Sequence, residues 1–218
     1  MSSAINIAID GPSGVGKSTI ADRVAESLHM VHLDTGAMYR CVAYYLVSHQ
    51  IDLSDSQALD QALDSIHISF QGKQVFLNDV DVSKEIRTNE ISMFTSKVAT
   101  NPSVRKKMVT LQQEVAKDKG YILDGRDICT VVLPDAEVKI YMDASAKARA
   151  ERRYKEYISQ GIQADYETIY QDIVARDYQD SHREISPLVQ AKDAIRIDTS
   201  NLTIDEVVKE VLELVRKA

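Results

Sequence analysis

The stretch from Ile5 to Thr19 restricts the possible fold more than any other part of this chain. It reads Ile-Asn-Ile-Ala-Ile-Asp-Gly-Pro-Ser-Gly-Val-Gly-Lys-Ser-Thr. Ile5, Ile7, Ala8 and Ile9 make a short apolar, β-branched run of the kind that forms a buried strand. Gly11 to Ser18 fits G-x-x-x-x-G-K-[ST], the phosphate-binding P-loop. A helical pattern follows at once, with Ile20, Val24, Ala25 and Leu28 on one side. An ordinary glycine-rich turn before a helix is the plain alternative, and the strand–loop–helix context argues against it. Gly11, Gly14 and Gly16 permit backbone angles and close approaches that a side chain would block. The loop N–H groups and the helix N-terminus then face an anion together. Lys17 is placed to reach the β- and γ-phosphates of a nucleotide, and the Ser18 hydroxyl to ligate Mg²⁺. Pro12, Ser13, Val15 and Thr19 complete the expected nucleotide-phosphate cradle.

The remaining 199 or so residues alternate strand and helix patterns, which predicts a parallel sheet with right-handed crossovers. Val31 to Leu33 is a second strand. Asp34 or Thr35 caps the helix that runs to Val47, with Met38, Val42, Tyr45 and Leu46 as its apolar side. Arg40 lies in its early turns, near the strand edge where open α/β sheets bind ligands. An exposed arginine balancing carboxylates is an equally open reading of Arg40. Ser56 to Leu63 is helical, and Ile66 to Phe70 alternates as a half-buried strand. Turns at Gln71–Lys73 and Asn78–Asp79 then predict a small antiparallel meander, with His67 facing solvent. A helix covers Thr88 to Ala99. Asn101-Pro102 restarts another, carrying Arg105, which runs to about Lys119 and is closed by Gly120. Tyr121–Leu123, Val138–Met142 and Ala194–Ile197 are further core strands. Ala146–Ser159, Tyr166 to about His182, and Thr203 onward are helices.

Composition narrows the function classes. Charged residues at 27% and hydrophobic residues at 44% are ordinary for a globular protein, and net charge is −7. That charge argues against a protein that coats nucleic acid by counterion release. Arginines beside glycines, prolines and helix starts suit a small, highly charged substrate instead. No apolar run approaches the ~20 residues of a membrane span, and Met-Ser-Ser-Ala, which lacks a basic n-region and leads straight into a core strand, is not expected to open a signal peptide. Cys41 and Cys129, far apart, fit reduced thiols in a cytoplasmic protein better than a disulfide framework.

Three constellations carry further chemistry. Asp124-Gly125-Arg126-Asp127 follows a strand, so its arginine is displayed to fork onto a phosphate and its aspartate to accept from an amine. Arg149, Arg152 and Arg153, at i, i+3 and i+4, share one helix face. Either Glu151 and Glu156 neutralise them in a solvated helix, or they form a mobile lid that closes on a transferring phosphoryl group. Gln160-Gly161 supplies a break after them. Arg176, Asp180 and Arg183 form a third group before Pro187. It reads either as a surface ion pair worth ~0.3–0.5 kcal/mol or as a polar stripe facing a cleft.

Taken together, five motifs resemble the bacterial cytidylate kinases, nucleoside monophosphate kinases of the P-loop superfamily. They are the Ile-Asp-Gly-Pro-Ser-Gly-Val-Gly-Lys-Ser-Thr segment, Leu33 through Arg40 (Leu-Asp-Thr-Gly-Ala-Met-Tyr-Arg), Ser83 through Thr88 (Ser-Lys-Glu-Ile-Arg-Thr), Asp124-Gly125-Arg126-Asp127, and Arg176-Asp177 through Pro187-Leu188. They stand in family order from Ile5 to the last helix, so the resemblance covers essentially the whole chain.

The resemblance implies one α/β domain over residues 1–218. It has a P-loop three-layer fold, a five-stranded parallel sheet with helices on both faces, a small antiparallel insert and a helical lid. The core would span about 1–60, 88–148 and 165–218, the monophosphate-binding insert 61–87 and the lid 149–164. The implied reaction is Mg²⁺-dependent transfer of the ATP γ-phosphoryl group to CMP or dCMP. Ser96, Arg105 and Asp127 resemble the cytosine-reading residues, and Arg40, Arg126 and Arg183 the α-phosphate grip. Arg176 and Asp180 resemble the ribose contacts, and Arg149, Arg152 and Arg153 the lid.

Thr35, also a CMP contact by resemblance, stands where many members have Ser, and Ser18 where some have Gly. A donor amine and two acceptors on the cytosine edge match Asp127, Arg105 and Ser96, whereas uracil would present O4 to the carboxylate. A monomer without nucleic-acid or membrane partners is expected. The rivals are a UMP, AMP or shikimate kinase, a GTPase, and a non-catalytic nucleotide-binding module. The GTPase lacks its Asn-Lys-x-Asp and Asp-x-x-Gly signatures here.

Overall fold

The computed structural model describes residues 5–217, which form two compact units. The first unit comprises residues up to Leu33 and from Val115 onward; the second comprises Asp34–Glu114. Among the described residues no helix is long and apolar enough to cross a membrane.

The first unit holds the expected parallel sheet. Its strands are β1 (Ile7–Asp10), β2 (Val31–Asp34), β6 (Tyr121–Gly125), β7 (Val138–Asp143) and β8 (Ile195–Asp198), in the order β2-β6-β1-β7-β8. β1 is buried along its whole length, as its apolar run requires, and pairs in parallel with β6 on one side and β7 on the other. α1 (Lys17–Leu28) and α8 (Ile204–Val215) bury Ile20, Val24, Val207 and Val211 with Ile7, Ile9, Ile140 and Met142 of the sheet. Each fully buried side chain of this size stabilises the fold by about 1.5–3 kcal/mol. α6 (Ala146–Ser159) and α7 (Tyr166–His182) form a helical pair around Ala150, Ile169 and Ile173, flanked by Tyr154, Tyr157, Tyr166 and Tyr170. Ser145, Asp165 and Thr203 cap α6, α7 and α8, the last with a capping box to Glu206.

Chain order and strand order fix where a ligand belongs. The chain leaves β1 toward one edge of the sheet and leaves β6 toward the other. The C-terminal ends of these adjacent strands are therefore a switch point, the crevice where open α/β sheets bind ligands. The register sets Ile9 beside Asp124 and Asp10 beside Gly125. The P-loop and the Arg126–Asp127 loop thus leave the sheet side by side.

The second unit carries α2 (Thr35–Ser48), α3 (Ser56–Ser65), α4 (Asn89–Val98) and α5 (Pro102–Val115). It also holds the antiparallel sheet β3 (Ile68–Gln71), β4 (Gln74–Leu77) and β5 (Val80–Asp81). Asn78 and Asp79 turn the second hairpin with φ of 48° and 65°, the left-handed pair that matches the strand twist. His67 is exposed just before β3.

Some boundaries differ from the sequence pattern: β1 starts at Ile7 rather than Ile5, α3 runs to Ser65 rather than Leu63, and β3 starts at Ile68 rather than Ile66. α5 ends at Val115 rather than near Lys119 and tightens into a 3₁₀ turn over Ala116–Asp118. The Asn6 side chain donates to the Ala116 carbonyl at 2.8 Å, which takes the acceptor a continuing helix would use. Lys119 and Gly120 then reverse the chain at φ 61° and 89°. α7 ends at His182 as expected, and Arg183, grouped by spacing with Arg176 and Asp180, is its C-cap. It is extended at φ −63°, ψ 143°, and its Nε donates to the Ser186 carbonyl at 2.6 Å as the chain bends toward Pro187.

Candidate active site

The P-loop connects β1 to α1 with three glycines in left-handed or related conformations, Gly11 at φ 152°, Gly14 at 74° and Gly16 at 98°. A Cβ on Gly11 would stand 2.1 Å from the Met142 carbonyl oxygen of β7, so only glycine fits there. Gly16 is the N-cap of α1 and offers no side-chain cap, and the first turn holds no acidic residue. The helix N-terminus is therefore left to an external anion. Inside the loop the Ser13 hydroxyl is buried without a hydrogen-bond partner, the kind of orphan that a bound phosphate satisfies. Lys17 is buried and donates from Nζ to the Gly11 and Pro12 carbonyls at 2.8 and 2.9 Å. Burial, with the Arg126 guanidinium, pulls its pKa down to about 7. Ser18 donates to Asp124 Oδ2 at 2.9 Å, which leaves the hydroxyl oxygen's lone pairs for a further contact.

The neighbouring strand end supplies Asp124, Gly125, Arg126 and Asp127. Gly125 is the last residue of β6 rather than the turn. The reversal follows in a single π turn over Ile128–Val132. Asp10 holds that turn, its two oxygens accepting the Ile128 and Cys129 N–H groups at 2.8 Å each. Burial lifts the Asp10 pKa to about 6 despite these bonds. Arg126 donates from Nε to Asp180 Oδ2 at 2.7 Å. Burial opposes the charge of both partners. Yet Asp180 raises the Arg126 pKa, and Arg126, with Arg176 and Arg183, lowers that of Asp180. Arg183 stands 3.7 Å from the Asp127 carboxylate. Arg126, Asp127, Arg176, Asp180 and Arg183 therefore form one charged cluster beside the P-loop, and the surface Arg176–Asp180 pair considered from spacing is only part of it.

The three arginines of α6 separate in role. Arg149 is buried, donates to the Ser13 carbonyl at 3.1 Å and the Ala144 carbonyl at 2.9 Å, and pairs through both terminal nitrogens with Asp177. Arg152 donates to the carbonyls of Thr199 and Ser200, and the Thr199 hydroxyl reaches the Val15 carbonyl at 3.3 Å. Arg153 is half-buried. Asp177 thus pairs with Arg149, and main-chain carbonyls accept from Arg149 and Arg152, in the place considered for Glu151 and Glu156.

In the second unit Asp34 caps α2 through the Ala37 N–H at 2.8 Å and pairs with Arg40 Nη2 at 2.8 Å. Arg40 Nε is buried with no hydrogen-bond partner. Thr35 and Arg105 are buried and Ser96 is half-buried. Arg105 donates to the Ala99 carbonyl at 3.3 Å and lies 5.9 Å over the Tyr39 ring.

Five residues that bond into this arrangement were not singled out from the sequence: Asp10, Asp177 and Thr199, and also Asp22 and His32, which lie in a line of hydrogen bonds to Asp124. For Asp10 the signal was its place directly before Gly11. For His32 it was the alternation of β2, which puts it on the same side as Asp34. Asp22 and Thr199 gave none, and Asp177 stood out only as part of the motif from Arg176 to Leu188, because each bonds to a partner ten or more residues away.

A family model described as cytidylate kinase matches residues 7–217. Two curated proteins described as cytidylate kinase, from Streptococcus pneumoniae strains 70585 and Hungary19A-6, are each 51% identical over 212 residues. The match covers 95% of this chain and 95% of theirs. Among solved structures, an uncharacterized protein from Eubacterium ventriosum ATCC 27560 aligns at TM-score 0.54, 12% identity and 99% coverage of both chains. Shikimate kinase from Bacteroides thetaiotaomicron aligns at 0.51 and 11%, covering 97% of this chain and 98% of that one. These two likenesses concern the fold alone.

Proposed function

This chain belongs to the cytidylate kinase family, and from that premise we propose that it transfers the γ-phosphoryl group of ATP to CMP or dCMP, giving ADP and the nucleoside diphosphate. The observation that carries the reading is the charged cluster at the switch point, where the P-loop and the Arg126–Asp127 loop leave adjacent strands. Gly11 to Thr19 hold the triphosphate of ATP, with Lys17 on its β- and γ-oxygens. Arg126 and Arg183 grip the acceptor phosphate, Asp127 accepts from the cytosine amine, and Arg176 and Asp180 hold the sugar. Thr35, Arg40, Ser96 and Arg105 of the second unit are assigned to the acceptor nucleotide by the family resemblance. Residues 61–87 serve as the monophosphate-binding insert and 149–164 as the lid.

Transfer of this kind needs alignment and charge neutralisation more than covalent help. The acceptor phosphate is already anionic near neutral pH, so no general base is required. Lys17, Arg126 and the α6 arginines Arg149, Arg152 and Arg153 neutralise charge on the transferring group, and exclusion of water prevents ATP hydrolysis.

Mg²⁺ fits the residues present. Ser18 is an oxygen ligand whose hydrogen is already committed to Asp124. No set of three His, Cys, Asp or Glu among the described residues would hold a metal without the nucleotide, the arrangement expected of a hard ion that arrives on phosphate. When bound, it offsets negative charge on the β- and γ-oxygens. The enzyme is read as a cytoplasmic monomer. Its two free, buried cysteines and net charge of −7 support that placement and the lack of a nucleic-acid partner.

Asp127→Ala tests the base assignment. Its kcat/KM for CMP should fall roughly 100-fold while that for UMP changes little. An unchanged CMP-to-UMP ratio contradicts the role of Asp127.

A further inference from the structure

His32, in β2, is the one imidazole among the described residues held between two carboxylates. Its Nδ1 lies 2.6 Å from Asp22 Oδ1 on α1, and its Nε2 lies 2.8 Å from Asp124 Oδ1 at the end of β6. The other Asp124 oxygen accepts from the Ser18 hydroxyl at 2.9 Å. A continuous chain, Asp22–His32–Asp124–Ser18, therefore runs from a half-exposed side chain to the P-loop. The His32 and Asp124 side chains are only 10% and 5% exposed, against 39% for Asp22.

The geometry fixes the protonation state. A neutral imidazole has one N–H and one lone pair, and a lone pair turned to a carboxylate oxygen at this distance is repulsive. With both carboxylates ionised, both nitrogens donate and the ring is an imidazolium. The electrostatics agree. Burial alone would lower the His32 pKa, but the hydrogen bond and charge of Asp124, then those of Asp22, lift it to about 9. The same contacts help hold Asp124 ionised, against burial that would raise its pKa.

Asp124 is a buried carboxylate with three cation or hydroxyl neighbours: His32, Ser18 and Lys17. Without His32 its Oδ1 would lose the imidazole donor in a buried place, and more of the Asp124 charge would fall to Lys17. We propose that His32 is a positioning residue for phosphoryl transfer, holding Asp124 on Ser18 and sparing Lys17 for the nucleotide phosphates. The inference rests on the kinase reading above. It concerns the ATP side of the site, because the chain of contacts ends at Ser18.

The test uses the full chain and the variants His32→Gln and Asp22→Asn, singly and together, with circular dichroism and melting to confirm folding. Gln keeps the size and one donor of His32 but not the charge. Two readouts are taken: kcat and KM for CMP with ATP, and the affinity of a non-hydrolysable ATP analogue with Mg²⁺ by calorimetry. Removal of residues that orient a first contact typically loses 10–100-fold. H32Q should therefore lower kcat and analogue affinity roughly tenfold, with KM for CMP within about twofold. D22N should move the same two quantities about threefold, and the double variant should be no worse than H32Q, because the route proposed from Asp22 to the site passes through His32.

Wild-type kcat and analogue affinity in a folded H32Q, a loss confined to KM for CMP, or additive effects of H32Q and D22N would each overturn the proposal. If H32Q does not fold, D22N decides, and wild-type behaviour there overturns it. A native enzyme that binds the analogue but does not phosphorylate CMP refutes the kinase reading, and the binding arm still judges His32.

Discussion

Arg126 and Asp180, 54 residues apart, are joined by a 2.7 Å hydrogen bond from Nε to Oδ2, which ties the end of β6 to the last turn of α7. The carboxylate thus presents an anion to the guanidinium that is proposed to grip the acceptor phosphate. Arg126→Ala removes that grip and leaves Asp180 partly buried. It should lower kcat/KM for CMP at least ~100-fold and cost about 3 kcal/mol of stability. Arg126→Lys, which keeps the charge without the fork, should fall between. A coupled assay of ADP release measures the first effect and urea unfolding the second. Retention of activity within about tenfold in the alanine variant would remove Arg126 from the transfer step.

Asp10 gives the enzyme a pH-dependent joint. Its folded pKa of about 6 lies above the ordinary 3.8 because burial outweighs the bonds from Ile128 and Cys129. A raised carboxyl pKa means that the folded state binds the proton more tightly than the unfolded state. The stabilisation this gives is complete below pH 3.8 and is lost as pH rises through about 6. Asp10→Asn does not titrate and can accept from only one of the two N–H groups, a loss of about 1–3 kcal/mol. The wild-type advantage over D10N should therefore shrink by about 2–3 kcal/mol between the two pKa values. Denaturant unfolding across that range is the check, and a constant difference contradicts it.

Two glycines of the P-loop separate space from conformation. At Gly11 a Cβ would overlap the Met142 carbonyl, whereas at Gly16 nothing lies within 4 Å and only φ of 98° is unfavourable. Gly16→Ala should cost about 1–2 kcal/mol. Gly11→Ala must in addition push β1 and β7 apart, and should lower the melting temperature far more. Equal losses would show that the β7 contact is not what requires glycine.

Most of the sheet was readable, because a buried parallel strand announces itself as a short apolar run and the P-loop fixes the first βα turn. β6, β7 and β8 start within a residue of where Tyr121, Val138 and Ala194 placed them, and β1 starts at Ile7, two residues past the expected Ile5. What could not be read was set by side chains meeting across long separations. Asn6 ends α5 by binding the Ala116 carbonyl, and the Ser186 carbonyl holds the Arg183 side chain just past α7. Arg149 is neutralised by Asp177 rather than by the glutamates beside it in sequence. The spacing i, i+3, i+4 correctly gathered three arginines on α6 but was silent on which one is anchored.

That distinction is measurable. Arg149→Ala leaves Asp177 without its pair and the Ser13 carbonyl without a donor, so about 3 kcal/mol of stability should be lost together with activity. Arg153→Ala should keep stability within about 0.5 kcal/mol and lower kcat through the proposed lid alone. Melting curves beside turnover numbers separate the two. An Arg153 variant with native kcat would take that side chain out of the transfer step.

The most direct measurement of the whole account is steady-state transfer from ATP across a panel of acceptors: CMP, dCMP, UMP, AMP and shikimate. CMP and dCMP should have kcat/KM values at least ~100-fold above those of the other three. A preference for UMP, AMP or shikimate, or ATP turnover indifferent to the acceptor, would contradict it.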